Sequence, residues 1–277
     1  MKFISGEYIQ CLCDHFIGFE NDFKFNKLIL NHRDKFIYID KNEEEINNNT
    51  LIFCYTHLLW PNYYELLINK LNKMKNPFKL VFHNSDLNFT EKYLVLFEKI
   101  PLLQYIYTQN MNVNHEKVSP LPIGIANSMW PHGNTEINTE VYNMNIEKTK
   151  NIYFNFSIAT NQTKRQECYN KIKDKGIEWS NKRSYKDYLI ELKKHKYSIC
   201  PEGNGLDTHR FWECLYLNTI PICKKNILIE YYSKYFPIII LNDWNELDVT
   251  VLDKNLKNTQ INHYYLSVDY IKNLIKK

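Results

Sequence analysis

Glycine is scarce in this chain, with 7 among 277 residues, so each one present marks a place where the backbone needs it. No run approaches the ~20 apolar residues of a membrane span, and no transmembrane segment is expected. Met1 to Glu7 lacks the apolar core of a secretory signal. The seven cysteines are odd in number and form no C-x-x-C pair. Cys11 and Cys13 are poorly spaced for zinc. Reduced, buried thiols and a reducing, cytoplasmic setting are the expectation. The sequons at Asn48, Asn88, Asn155 and Asn161 then read as incidental to asparagine richness. The formal net charge is only +4 and is dispersed, which argues against a nucleic-acid partner.

What is present is ordinary globular composition, 44% hydrophobic and 24% charged. Aromatics are abundant, with 21 Tyr and 15 Phe. Alongside plentiful Asn, Lys and Ile they read as the mark of AT-rich coding sequence. Tyr55, Trp60 and Trp130 are candidates for stacking on a sugar face. At about 150 residues per domain, the length predicts two domains.

Short β-rich runs alternate with amphipathic stretches. Residues 35–39, 51–55, 78–82, 103–107 and 118–125 are expected as strands. Helices are expected over 62–74 and 90–99. The polar stretch 133–150 is the expected linker. Beyond it, 152–156, 197–200, 220–223 and 238–241 read as strands. Stretches 163–175, 185–194, 207–217 and 264–277 read as helices. Alternation on both sides of a linker predicts two α/β units with parallel sheets, over residues 1–140 and 150–277. The terminal helix is free in this scheme to pack back across. Ligands in such sheets sit beyond the carboxyl ends of the strands.

The densest polar chemistry follows the strand ending at Cys200: Pro201-Glu-Gly-Asn-Gly-Leu-Asp-Thr-His-Arg210-Phe-Trp-Glu213. Gly203 and Gly205 let the loop turn tightly and admit a ligand close to the backbone. Asp207 or Thr208 can cap the following helix, whose free N–H groups favour an anion. His209 and Arg210 place cations in its first turn, against the helix dipole. That choice makes sense if a negative ligand lies there. An arginine fork suits phosphate oxygens.

The segment Cys200 to Ile222 resembles the signature of exostosin-like glycosyltransferases (family 47), C-P-x-G-N-G-x-D-T-H-R-x-W-E-A-L-x-x-G-x-I-P-I. It is also similar to the fucosyltransferase donor pattern, with Thr208-His209-Arg210 standing where T-E-K would. Cys214-Leu215 replace A-L, and Asn218 replaces the usual glycine, a mild change because Asn tolerates left-handed backbone. Residues 83–86, 122–127 and 130–133 resemble stretches of related, often viral, glycosyltransferase-like proteins. Residues 154–157 with Thr163-Lys164-Arg165 resemble the first strand and helix of a donor half. The likeness is weak over residues 1–50.

The resemblance implies a GT-B architecture of two facing Rossmann-like domains. It implies transfer from a nucleotide-diphosphate sugar to a glycan hydroxyl, inverting and without an essential metal or other cofactor. The absence of a D-x-D triplet agrees. UDP is the expected carrier, with GDP second. Arg210, Arg165 and the helix start at Asp207-Thr208 are expected on the diphosphate. Glu202, Asn204, His209 and Glu213 are expected on sugar, ribose or phosphate, although Glu213 can equally pair with Arg210, one turn away. The base should come from the N-terminal half. Asp86 is the first candidate and His57 the competitor, with His83 and His132 behind them. Two other readings stay open: a catalytically degenerate binder of nucleotide sugar or glycan, and an unrelated α/β protein holding a phosphorylated metabolite.

Overall fold

The computed structural model describes residues 2–41, 51–252 and 260–276. Two parallel sheets organise it. The first has six strands in the order β2-β1-β3-β4-β6-β8. These are β1 (His15–Gly18), β2 (Phe36–Tyr38), β3 (Leu51–Tyr55), β4 (Phe78–His83), β6 (Leu103–Thr108) and β8 (Val118–Pro120). A two-stranded pair, β5 (Phe89–Thr90) and β7 (Met111–Asn112), lies outside it. The second sheet runs β12-β11-β10-β9, built from β9 (Lys150–Tyr153), β10 (His195–Ile199), β11 (Ile220–Lys224) and β12 (Ile239–Leu241). Every strand pairing in both sheets is parallel.

The strands are parallel because the connections between them are long crossovers. Their centres are continuous apolar runs because both faces are covered. All of β3 is buried, and Leu80, Val81 and Phe82 of β4 have no exposed surface. The helices that position the site are α1 (Gly6–Cys11), α2 (Glu20–Phe23), α3 (Pro61–Leu71), α4 (Leu96–Lys99), α5 (Thr135–Asn143), α6 (Gln162–Ile172), α7 (Tyr185–Lys193) and α8 (His209–Tyr216). Each of α5, α6 and α7 starts at an Asn or Ser whose side chain accepts from the first-turn backbone: Asn134, Asn161 and Ser184. No helix among the described residues is long and apolar enough to cross a membrane. All seven cysteines are free thiols.

Several expectations need correction. The stretch 133–150 is no bare linker, because it holds α5. A single buried stripe around Val141 anchors that helix, and the rest of its polar surface faces solvent. Lys193 ties it down by donating to the carbonyls of Val141, Tyr142 and Met144 at 2.9, 2.6 and 2.7 Å. The helix expected over 90–99 breaks into a 3-10 turn at Glu91–Tyr93 and the short α4. The strand expected over 118–125 stops at Pro120, since Pro120 and Pro122 offer no N–H to a ladder. The strand expected over 152–156 ends at Tyr153. The two elements β1 and α1, in the N-terminal region, were not expected.

The two sheets share one apolar core. It runs from Phe16 and Phe53 of the first to Trp212 and Leu215 of α8. Tyr216 ties α8 to both ends of the chain. Its hydroxyl accepts from Ile4 N at 2.8 Å and donates to the Leu266 carbonyl at 2.9 Å. The terminal helix Val268–Lys276 lies beside the first sheet, where Tyr107 Oη donates to the Leu274 carbonyl at 3.1 Å. A second core cluster, with Phe154, Ile199 and Trp244, fills the other face of the second sheet.

Candidate functional site

The segment Pro201–Thr208 leaves the carboxyl end of β10 and enters α8. Its glycines serve packing. A Cβ on Gly205 would lie 2.5 to 2.7 Å from the side chain of Asn110, so only glycine fits. Asn110 is itself left-handed (φ 52°) and fully buried just after β6. Its Oδ1 accepts from Asp207 N at 2.8 Å and its Nδ2 donates to the Ser85 carbonyl at 3.2 Å. Gly203 sits against the Arg165 guanidinium, and its carbonyl accepts from Asn161 Nδ2 at 2.7 Å.

Asp207 does not cap α8; the N-cap is Thr208, whose side chain makes no capping bond. The Asp207 carboxylate is consumed within the protein. Oδ2 accepts from Ile123 N at 2.7 Å, and Oδ1 accepts from Thr208 N and Trp212 Nε1 at 2.9 and 2.8 Å. Burial pushes its pKa up to about 7, against the pull of those three donors. Asp207 is therefore a buried pin between the motif and the loop after β8, holding three donors of the protein itself. Glu213 is similarly occupied. It accepts from Tyr185 Oη at 3.2 Å and Tyr188 Oη at 2.6 Å, and forms no ion pair with Arg210.

Arg210 is differently placed. Its guanidinium lies over the rings of Tyr188 and Tyr153, at 4.9 and 5.5 Å from their centroids. Its Nη1 is buried with no hydrogen-bond partner among the described residues. Arg165, on α6, approaches from the other side of the motif loop. It donates through Nε to the Glu202 carbonyl and through Nη1 to the Ser157 carbonyl, both at 2.9 Å. Burial, and then the charge of Arg210, hold the Arg165 guanidinium below its usual range. Glu202 pairs with Lys164 and accepts from Asn226 Nδ2 at 3.1 Å. The two guanidiniums are thus near enough for the charge of one to bear on the other, and neither has a carboxylate partner among the described residues.

A second feature lies beyond the carboxyl ends of β3, β4 and β6, a cavity of about 350 Å³. Both proposed bases, Asp86 and His57, line it, and so does His209 from α8. Asn204 reaches from the motif loop and donates to Asp86 Oδ2 at 3.1 Å. His57 Nε2 lies 3.3 Å from Asp22 Oδ1. His209 Nδ1 is 2.8 Å from the Gly124 carbonyl, and burial lowers its pKa. His83 lies under this wall, wholly buried, with Nε2 3.1 Å from the Pro122 carbonyl and Nδ1 3.1 Å from Asn84 Oδ1. Burial brings its pKa down to about 4. Neutral and wholly buried, it can donate to one of those two oxygens and presents no nitrogen to the cavity; it is a structural histidine. His132 sits between Trp130 and His209, with ring centroids 6.3 and 6.0 Å away.

Of the three aromatics considered, Trp130 is half exposed on the cavity rim and Tyr55 forms part of its floor. Trp60 does not reach it. The floor is a buried polar network. Gln10 Nε2 donates to Tyr55 Oη at 3.0 Å, Asn26 Nδ2 donates to Gln10 Oε1 at 2.9 Å, and Tyr55 Oη donates to the Asp22 carbonyl at 3.0 Å. Glu7 closes one side, accepting from Ser128 N and Oγ at 2.9 and 2.8 Å. Glu7, Asp22 and Asn110 were not read from the sequence as site residues. The first two fall in the N-terminal stretch, where no motif stands out. Among the described residues no three His, Cys, Asp or Glu side chains converge as a metal site.

No protein-family model matches the chain, and no curated protein matches its sequence.

Proposed function

We propose that the chain is a glycosyltransferase of GT-B type that moves a sugar from a nucleotide-diphosphate donor, UDP first, to a glycan hydroxyl, with inversion and without an essential metal. One observation carries the reading. Arg210 presents a buried, unpartnered N–H beside a second arginine at the start of α8. A buried donor without an acceptor needs an explanation, and two crowded guanidiniums become favourable when an anion lies between them. The diphosphate is that anion in this reading.

The chemistry follows from the two features together. The acceptor sits in the 350 Å³ cavity with its hydroxyl toward Asp86. Asp86 takes the hydroxyl proton as the oxygen forms its bond to the anomeric carbon. The bond from that carbon to the diphosphate oxygen breaks, and the electron pair leaves with the diphosphate. Arg210, Arg165 and the first N–H groups of α8 stabilise the charge that develops there. Asn204 holds Asp86 from the donor side. His57, oriented by Asp22, binds the acceptor.

A thermal-shift screen with UDP, GDP, CMP and their sugar conjugates, with and without divalent cation, tests the reading. A ligand bound only by the native state raises stability by RT ln(1 + [L]/Kd). Stabilisation by one nucleotide, independent of metal, is the expected result. Folded protein that responds to no nucleotide would count against it.

A further inference from the structure

The cavity beneath Asp86 has a one-sided charge. Glu7, Asp22 and Asp86 line it together with His57 and His209, and no Lys or Arg among the described residues does. Among the described residues neither Glu7 nor Asp86 pairs with a cation; their partners are Ser128 and Asn204. Between the carboxylates stand carboxamides, with Asn84, Gln109 and Asn127 on the wall. The rim is apolar and exposed: Phe25 is 55% exposed, Met129 42% and Trp130 51%. The Trp130 ring is braced by His132, stacked at 20° with centroids 6.3 Å apart.

We infer that this cavity takes the end of an uncharged sugar chain, stacked on Trp130 and bonded through its hydroxyls, and that it rejects chains ending in a uronate, phosphate or sulfate. The inference deepens the glycosyltransferase reading and rests on it for the word acceptor. Carboxylates and carboxamides accept from vicinal hydroxyls, whereas a buried anion among them would meet like charge without a compensating cation. An aromatic face presented to solvent suits the apolar C–H face of a pyranose. The volume falls within the ~300–1,000 Å³ range of small-molecule sites. The contrast with the neighbouring arginines Arg165 and Arg210 is internal to the molecule. Positive charge is gathered where a diphosphate would lie and is kept out of the adjoining cavity.

The test is saturation-transfer NMR and calorimetry on the full chain at low ionic strength, where charge repulsion is least screened. The probes are the neutral trisaccharides of glucose, mannose, xylose and galactose, together with trigalacturonate, which differs from galactotriose in its carboxylates. At least one neutral trisaccharide should bind at least tenfold tighter than trigalacturonate. Trp130→Ala, at an exposed position, should weaken that binding at least tenfold while leaving the circular dichroism unchanged. Equal or tighter binding of trigalacturonate overturns the inference, and so does failure of every neutral probe to bind. Repeating the titration with UDP separates the two readings. Neutral-sugar binding without any nucleotide response would sink the transferase and leave the cavity assignment standing. Nucleotide stabilisation with a preference for the uronate would do the reverse.

Discussion

Asn204 Nδ2 donates to Asp86 Oδ2 at 3.1 Å, joining side chains 118 residues apart in sequence. The bond links the loop beyond β4 to the loop beyond β10. It puts an acidic residue bonded to the motif loop on the lining of the cavity. Replacing Asp86 by Asn keeps the shape and removes the proton acceptor. Transfer should fall by about 10²–10⁴-fold, the usual worth of general-base catalysis. Nucleotide affinity should stay within twofold. Near-normal transfer by the variant would hand the role of base to His57.

Arg210→Ala and Arg210→Lys address the proposed donor site. Lysine keeps the charge but loses the planar fork, so it should not restore binding. Both variants should weaken UDP binding tenfold or more, measured by calorimetry. Unchanged affinity in the alanine variant would mean that the unpartnered Nη1 faces no phosphate.

Asp207 yields a prediction of the opposite kind. Its oxygens hold Ile123 N, Thr208 N and Trp212 Nε1. Asp207→Asn places an N–H₂ group against N–H donors in a buried site. The cost should be about 1–3 kcal/mol of stability, that of leaving a buried group unpaired. Urea unfolding should show it, with nucleotide affinity at saturation little changed. A variant of full stability that had lost UDP binding would restore Asp207 to the ligand site.

The parallel sheets were legible because buried strands carry apolar runs, as in Leu51–Tyr55 and in Leu80-Val81-Phe82 at the centre of Phe78–His83. The helix α8 was legible because its apolar face is bounded by a glycine-bearing loop. What the sequence concealed was which polar groups are already spent. Asp207 and Glu213 look like ligand contacts in the chain and prove to be internal ties. Arg210 is the motif residue left with a buried donor unmet. The ties from Asp207 to Ile123 and from Glu213 to Tyr188 join residues 84 and 25 positions apart, separations no local pattern encodes. Helix α5 was hidden for a related reason. Its polar residues dominate the composition, while Val141 alone of its apolar residues is fully buried.

His83 ties the cavity wall to the stability of the fold in acid. The imidazole is wholly buried, and its pKa is brought down from the ordinary 6.5 to about 4. Between those values the unfolded chain binds a proton that the native state does not. Stability therefore rises with pH in this window. The contribution is complete above about pH 6.5 and is lost as pH falls toward 4. At ~1.4 kcal/mol per pKa unit, the loss amounts to about 3 kcal/mol. Asp207, pushed up to about 7, acts in the opposite sense over the same range, so wild-type stability alone would blur the two. Comparison with His83→Gln removes Asp207 from the difference, since both proteins carry it. The variant keeps a donor for the Pro122 carbonyl. Urea unfolding at pH 7 and at pH 4.5 should show the wild type losing 2–3 kcal/mol more than the variant, on the order of the linkage above. Parallel losses in the two proteins would mean that His83 charges without penalty, and that the wall beneath the cavity is wetter than its packing implies.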